Sequence, residues 1–144
     1  METYNVYIDS NSASIGNAGS INNEYYVNWA SIMPDGSYNV SFSFISQSDD
    51  IFTGAEIATV LCNLGGNNQF KANGSATNVL GFLSTVNIAI DNSYLYAEIT
   101  ANPKVYLKQR PNVNSLIVSV CNGLDTTDSV NIVHYTMVLH FEKL

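Results

Sequence analysis

The sequence predicts an all-β protein, an antiparallel β-sandwich, and three observations carry that expectation. Large apolar residues alternate with small polar ones in run after run, most plainly at Tyr38, Val40, Phe42 and Phe44, which Asn39, Ser41 and Ser43 separate. Successive side chains of an extended chain point to opposite faces, so each such run makes a strand with one apolar side. Gly, Asn, Asp and Pro punctuate the runs at short intervals, as turns require. No segment reads convincingly as a helix.

In chain order, residues 3–9 set Tyr4, Val6 and Ile8 against Asn5, Tyr7 and Asp9, which gives a first strand. Residues 10–23 are small, polar and aperiodic and read as a long loop. Residues 24–30 form a second strand with Tyr25, Val27 and Trp29 on one face. Pro34-Asp35-Gly36 supplies turn chemistry, Pro presetting φ and Gly accepting the exit geometry, so this strand and the next, 37–46, are expected to pair as a hairpin.

The pattern lapses over 46–54 and resumes at 56–62, where Leu64-Gly65-Gly66-Asn67-Asn68 ends it. Asn73-Gly74 is a further turn signal. Residues 79–90 could be a strand or a short helix, and strand is favoured, since Val86, Ile88 and Ile90 alternate with Asn87 and Ala89. Asp91-Asn92-Ser93 connects it as a hairpin to 94–100. Pro103 leads into Val105-Tyr106-Leu107, at a position where a missing N–H is tolerated. Arg110-Pro111-Asn112 turns the chain into 115–121, with Leu116, Val118 and Val120 on one face.

The last run, 131–142, is the longest. Val133, Tyr135, Met137, Leu139 and Phe141 lie on one side of it, and Ile132, His134, Thr136, Val138 and His140 on the other. Near-continuous apolarity places this strand in the middle of a sheet. The total is eight to nine strands in a single domain spanning residues 1–144, and among sandwiches a single jelly roll fits that length and count best. An immunoglobulin-like sandwich is the rival, but Trp29 precedes both cysteines instead of lying between them.

At 144 residues and 46% hydrophobic, the chain can bury a real core without metal or disulfide support. Its charged fraction of 12% is the outlier, about half of the ~25% usual in soluble domains. Asn, Ser and Thr make up the polar surface instead, and such groups cost far less to desolvate than Lys or Glu. A coat of this kind suits a chain packed among other chains. The plain alternative is a monomer that happens to be poor in charge.

The net charge is −7, with Lys71, Lys104, Lys108, Arg110 and Lys143 the positive side chains. Nucleic acid and acidic bilayers are therefore disfavoured partners, and no apolar run is long enough to span a membrane. The start of the chain lacks the basic and apolar regions of a signal peptide. Cys62 and Cys121, each within a predicted strand, are expected as buried free thiols. The sequons at Asn39 and Asn73 then carry no glycan.

Catalytic chemistry is not indicated. His134 and His140 share one strand and one face, but six strand residues separate them by roughly 20 Å, too far for one metal ion. Glu56 and Glu98 fall in predicted strands as solvent-face glutamates. Asp125 and Asp128 are short of a calcium loop, and their plain role is solubility. Neither a nucleophile elbow nor a phosphate-binding loop is present, and Gly65-Gly66 lacks a following helix. No enzymatic activity, metal or cofactor is expected.

Two features point to binding instead. The face of the last strand formed by Ile132, His134, Thr136, Val138 and His140 is half apolar, which marks either a subunit interface or a face covered within the fold. Tyr25, Tyr26 and Trp29, with Asn-rich loops nearby, could form a stacking platform for a glycan, or could be core.

Several fragments taken together suggest a kinship. The segment 29–44, with Pro34-Asp35-Gly36 between its strands, resembles a strand–turn–strand in small proteins of large eukaryotic DNA viruses and their smaller relatives, including virophages. Leu107-Lys108-Gln109-Arg110-Pro111-Asn112 and the closing Tyr135-Thr136-Met137-Val138-Leu139-His140-Phe141-Glu142 resemble later segments of the same group. The resemblance implies a jelly-roll minor capsid or vertex-associated protein, displayed as a spike or fibre. It would assemble in a host cell into a virion as a homo-oligomer, a trimer in the first instance, beside other capsid proteins. The alternative is a carbohydrate-binding sandwich that attaches to a host receptor.

Overall fold

The computed structural model describes residues 2–18, 22–47, 57–64, 69–88, 92–124, 130 and 132–144, the side chains at 87–88 and 92–93 excepted. Within these lie ten strands and one α-helical turn. In order they are β1 (Thr3–Asp9), β2 (Asn23–Tyr26), α1 (Trp29–Ile32), β3 (Tyr38–Gln47), β4 (Ala58–Cys62) and β5 (Val79–Phe82). There follow β6 (Ser84–Ile88), β7 (Asn92–Ala97), β8 (Val105–Leu107), β9 (Ser115–Asn122) and β10 (His134–Lys143). A 3₁₀ turn, Ser10–Ser12, closes β1.

Every pairing is antiparallel, and the strands form two sheets packed face to face, as the alternation predicts. The six-stranded sheet runs β1-β10-β3-β7-β6, with β8 also on β3; the four-stranded sheet runs β2-β9-β4-β5. β8 and β7 share one side of β3, β8 meeting Tyr38, Asn39 and Val40 and β7 meeting Phe44 and Ile45. The pairs β1–β10, β2–β9, β3–β8 and β4–β5 nest like one long hairpin folded over itself. The β6–β7 hairpin, expected from the sequence, adds to the six-stranded sheet.

β10 lies between β1 and β3, which accounts for its length and apolarity. Its inward residues Tyr135, Met137, Leu139 and Phe141 meet Phe42 and Phe44 of β3 and the Leu116, Val118 and Val120 side of β9 in one core. Each such side chain contributes about 1.5–3 kcal/mol by leaving water. β4 is buried on both faces: Val60 and Cys62 face the core, while Thr59 and Leu61, with Ser119 and Cys121 beside them, are covered on the far side.

Four sequence expectations are corrected. The strand read at 24–30 stops at Tyr26, and Trp29 begins a helical turn closed by the Met33 N–H on the Trp29 carbonyl. Tyr25, Val27 and Trp29 are all buried, but at Trp29 a corner achieves the burial. Its indole N–H is donated to the Val113 carbonyl and its ring stands edge-on to Phe141.

That corner carries the chain from one sheet to the other, so β2 and β3 do not pair and the expected hairpin is not formed. Pro34-Asp35-Gly36 still serves the crossing, since the Tyr38 hydroxyl is donated to the Pro34 carbonyl and Arg110 bonds the Met33 carbonyl and Asp35.

The single strand read at 79–90 is two strands in different sheets, divided at Leu83, whose N–H is donated to Ala58. Close packing precedes the switch, for a Cβ on Gly81 would lie 2.6 Å from the Phe42 ring. Finally, β10 begins at His134, so the alternation does not extend to its two predecessors. Ile132 turns into the core, and Val133 is half exposed.

Candidate assembly face

The outer face of the six-stranded sheet carries several exposed apolar side chains. Strand register brings its side chains into rows. Tyr7, Val138 and Ser43 form one row; Asp9, Thr136, Ile45 and Tyr96 form the next. Residues directly opposite on antiparallel strands share a face at 4.5–5.5 Å, so these rows are contiguous. Tyr7 is 76% exposed and Ile45 56%, and Tyr94 lies beside Tyr96 with ring centroids 6.0 Å apart.

Polar pairs lie among and beside these residues. At one end, His134 Nε2 lies 2.9 Å from Asp9 Oδ1. The Asp9 carboxyl sits below its ordinary value, chiefly because it accepts the Asn11 backbone N–H and also because of its bond to His134. At the other end, His140 Nδ1 lies 2.6 Å from Asn5 Oδ1, and Lys104 pairs with Glu142 at 3.3 Å. Ser41, Thr100, Lys104, His140 and Glu142 line an open recess of about 310 Å³ there. A second open recess, of about 300 Å³, lies beside Arg110 and Asn63. The guanidinium of Arg110 is already committed to Met33 and Asp35.

Of the predicted interface residues, His134, Thr136, Val138 and His140 lie together on this face, partly exposed between β1 and β3. Ile132 does not, being buried before the strand begins. The predicted glycan platform is not assembled. Tyr25 is buried with its hydroxyl on Tyr135, and Trp29 is buried against Phe141, which leaves Tyr26 alone exposed. Glu98 is exposed in the turn after β7 instead of in a strand, while Glu56, Asp125 and Asp128 lie outside the described residues.

Cys62 and Cys121 are buried and not joined in a disulfide, as expected. They sit three register positions apart on neighbouring strands and face opposite sides of the four-stranded sheet. Burial pushes the Cys62 thiol up to about 12.

Sequence reasoning missed Tyr7, Ile45, Tyr94 and Tyr96. Tyr7 could have been found, because the alternation of 3–9 already puts it on the side opposite Val6 and Ile8. Ile45 could have been found as well, because it is a large apolar residue on the otherwise polar side of its strand.

No protein-family model matches this chain, and a search of curated proteins gives no match. Among the described residues, no group of three or more His, Cys, Asp or Glu side chains could hold a metal ion. No helix among them is long and apolar enough to cross a membrane.

Proposed function

We propose that this chain is a structural protein that assembles with copies of itself through the outer face of the six-stranded sheet. On this reading it is a jelly roll, and it serves as a minor capsid, vertex or spike component of a virion. The observation that carries the self-assembly is the exposure of Tyr7 and Ile45 on one face of the six-stranded sheet, among polar pairs that already satisfy one another. Aromatic side chains, Tyr among them, are frequent anchors of protein interfaces. The low-charge surface favours the same reading by lowering the desolvation cost of contact. The nested strand pairs support the jelly roll, an architecture found in viral capsid domains and in lectins alike.

The test places a charge on the face at Ile45. By sedimentation and native mass spectrometry the wild-type chain forms a defined oligomer, and Ile45→Lys shifts it to a smaller species that remains folded. A wild-type chain that stays monomeric across the micromolar range overturns the proposal. Location in a virion is tested separately, by imaging the particle at near-atomic resolution.

A further inference from the structure

Sheet edges offer main-chain groups to passing strands, and proteins guard them with Lys, Pro, bulges or covering segments. Both edges of the four-stranded sheet are guarded here. On β2, the Glu24 N–H and carbonyl bond Ile15 and Ser14. On β5, the Asn102 amide takes the place of a strand, accepting the Phe82 N–H at 2.8 Å and donating to its carbonyl at 3.0 Å.

β1 differs. It is a regular seven-residue strand at the end of the six-stranded sheet, without Lys, Pro or a bulge. Lys143 donates its N–H to the Glu2 carbonyl, so by alternation the even-numbered residues bond β10 and the odd-numbered ones aim their main-chain groups at the open edge. Those odd residues, Thr3, Asn5, Tyr7 and Asp9, have no partner strand on that side among the described residues. Three of them, Thr3, Asn5 and Tyr7, are exposed.

We infer that β1 pairs with β1 of a second copy, antiparallel about a two-fold axis at Val6, joining two six-stranded sheets into one. The occupant follows from self-complementarity. In the register that uses the whole strand, Thr3 stands opposite Asp9 of the second copy, Tyr4 opposite Ile8, and Asn5 opposite Tyr7. No charge meets its like, and the inward apolar positions continue the core. The open groups of the odd residues supply about eight main-chain hydrogen bonds, two for each of the four pairs. β6, at the other end of the sheet, is shorter, with five residues.

The contact is isologous and closes as a dimer, whereas addition of β1 to β6 would be head to tail and open-ended. The inference rests on the proposed self-association but uses a different surface, and the test separates the two.

Asn5→Cys and Tyr7→Cys variants are mixed under mild oxidation. Their Cα atoms would lie about 5.5 Å apart in a hydrogen-bonded antiparallel pair, within disulfide range, and the native thiols are buried. The expected result is a disulfide-linked heterodimer that still forms when both chains also carry Ile45→Lys. Absence of that species overturns the inference, as do assemblies of the Ile45→Lys protein that lengthen with concentration. In parallel, Tyr7→Pro deletes an N–H that makes no bond to β10 and abolishes the edge dimer, while Tyr7→Thr, which keeps the N–H, retains it. A Tyr7→Pro protein that also carries Ile45→Lys and stays dimeric overturns the inference, and if that variant does not fold the cross-link decides. Cross-linking that survives while Ile45→Lys changes nothing else would remove the face proposal and leave the edge.

Discussion

The hydroxyls of Tyr25 and Tyr135 meet 2.7 Å apart inside the sandwich, one from each sheet. Asn23 donates its side-chain amide to the same Tyr135 oxygen at 3.1 Å, and Phe44 stacks on the Tyr135 ring at 5.2 Å. Burial raises both phenols above their ordinary value of 10, so each enters the core neutral and hydrogen-bonded. Tyr135→Phe strands two buried groups, the Tyr25 hydroxyl and the Asn23 amide, and is expected to cost about 1–3 kcal/mol. Tyr25→Phe leaves Tyr135 its bond to Asn23 and costs less, about 0.5–1.5 kcal/mol. Urea unfolding of the two variants measures the difference.

At Gly81 the core has no room for a methyl group. A Cβ there would lie 2.5 Å from the Asn102 side chain and 2.6 Å from the Phe42 ring. Gly81→Ala therefore forces the Asn102 amide off β5 and shifts Phe42, at an expected cost of about 1–3 kcal/mol. Gly74, with φ of +88° and nothing within 4 Å, gives the contrast. Gly74→Ala meets backbone strain alone, of about 1–2 kcal/mol. Thermal unfolding separates the two.

Acid weakens the β1–β10 edge through Asp9. Its folded carboxyl titrates below the ordinary 3.8, so its contribution is fully present above that value and is lost as pH falls through the lowered folded one. Asp9→Asn is expected to flatten the acid limb of a stability-against-pH curve in the region below pH 4. An unchanged limb would show that the Asn11 and His134 bonds do not couple to folding.

Neither cysteine should react in the folded protein. Cys62 is buried and its thiol is raised to about 12, so almost none is thiolate at neutral pH. Cys121 is buried on the far side of the four-stranded sheet. Labelling with an aromatic disulfide reagent should wait on unfolding, and a fast native phase would count against this packing.

Strand periodicity made much of the fold legible. Residues 3–9, 38–46 and 115–121 are strands close to where the sequence places them, and the apolar stripe of 135–141 faces inward as expected. Periodicity reports which side of a residue is buried, but not which sheet buries it. That is why Trp29 looked like a strand residue, and why 79–82 and 84–88 looked continuous. Parity also holds only while the chain stays extended, so Ile132, two residues before β10, was assigned the wrong side. The candidate face was half legible. His134, Thr136, Val138 and His140 were found from their own strand, whereas Tyr7 and Ile45 join them only through cross-strand register, which a single sequence does not contain.

The strand that clasps β1 to β3 comes after all the others in chain order. During synthesis, both neighbours must therefore wait with their ladders open on that side, β3 until residues 48–133 have emerged and β1 until residues 10–133 have. Closing so wide a loop is slow, and the waiting strands are exposed to aggregation meanwhile. Correct folding thus competes with premature strand pairing between nascent chains, and the yield of native protein should fall as the rate of expression rises.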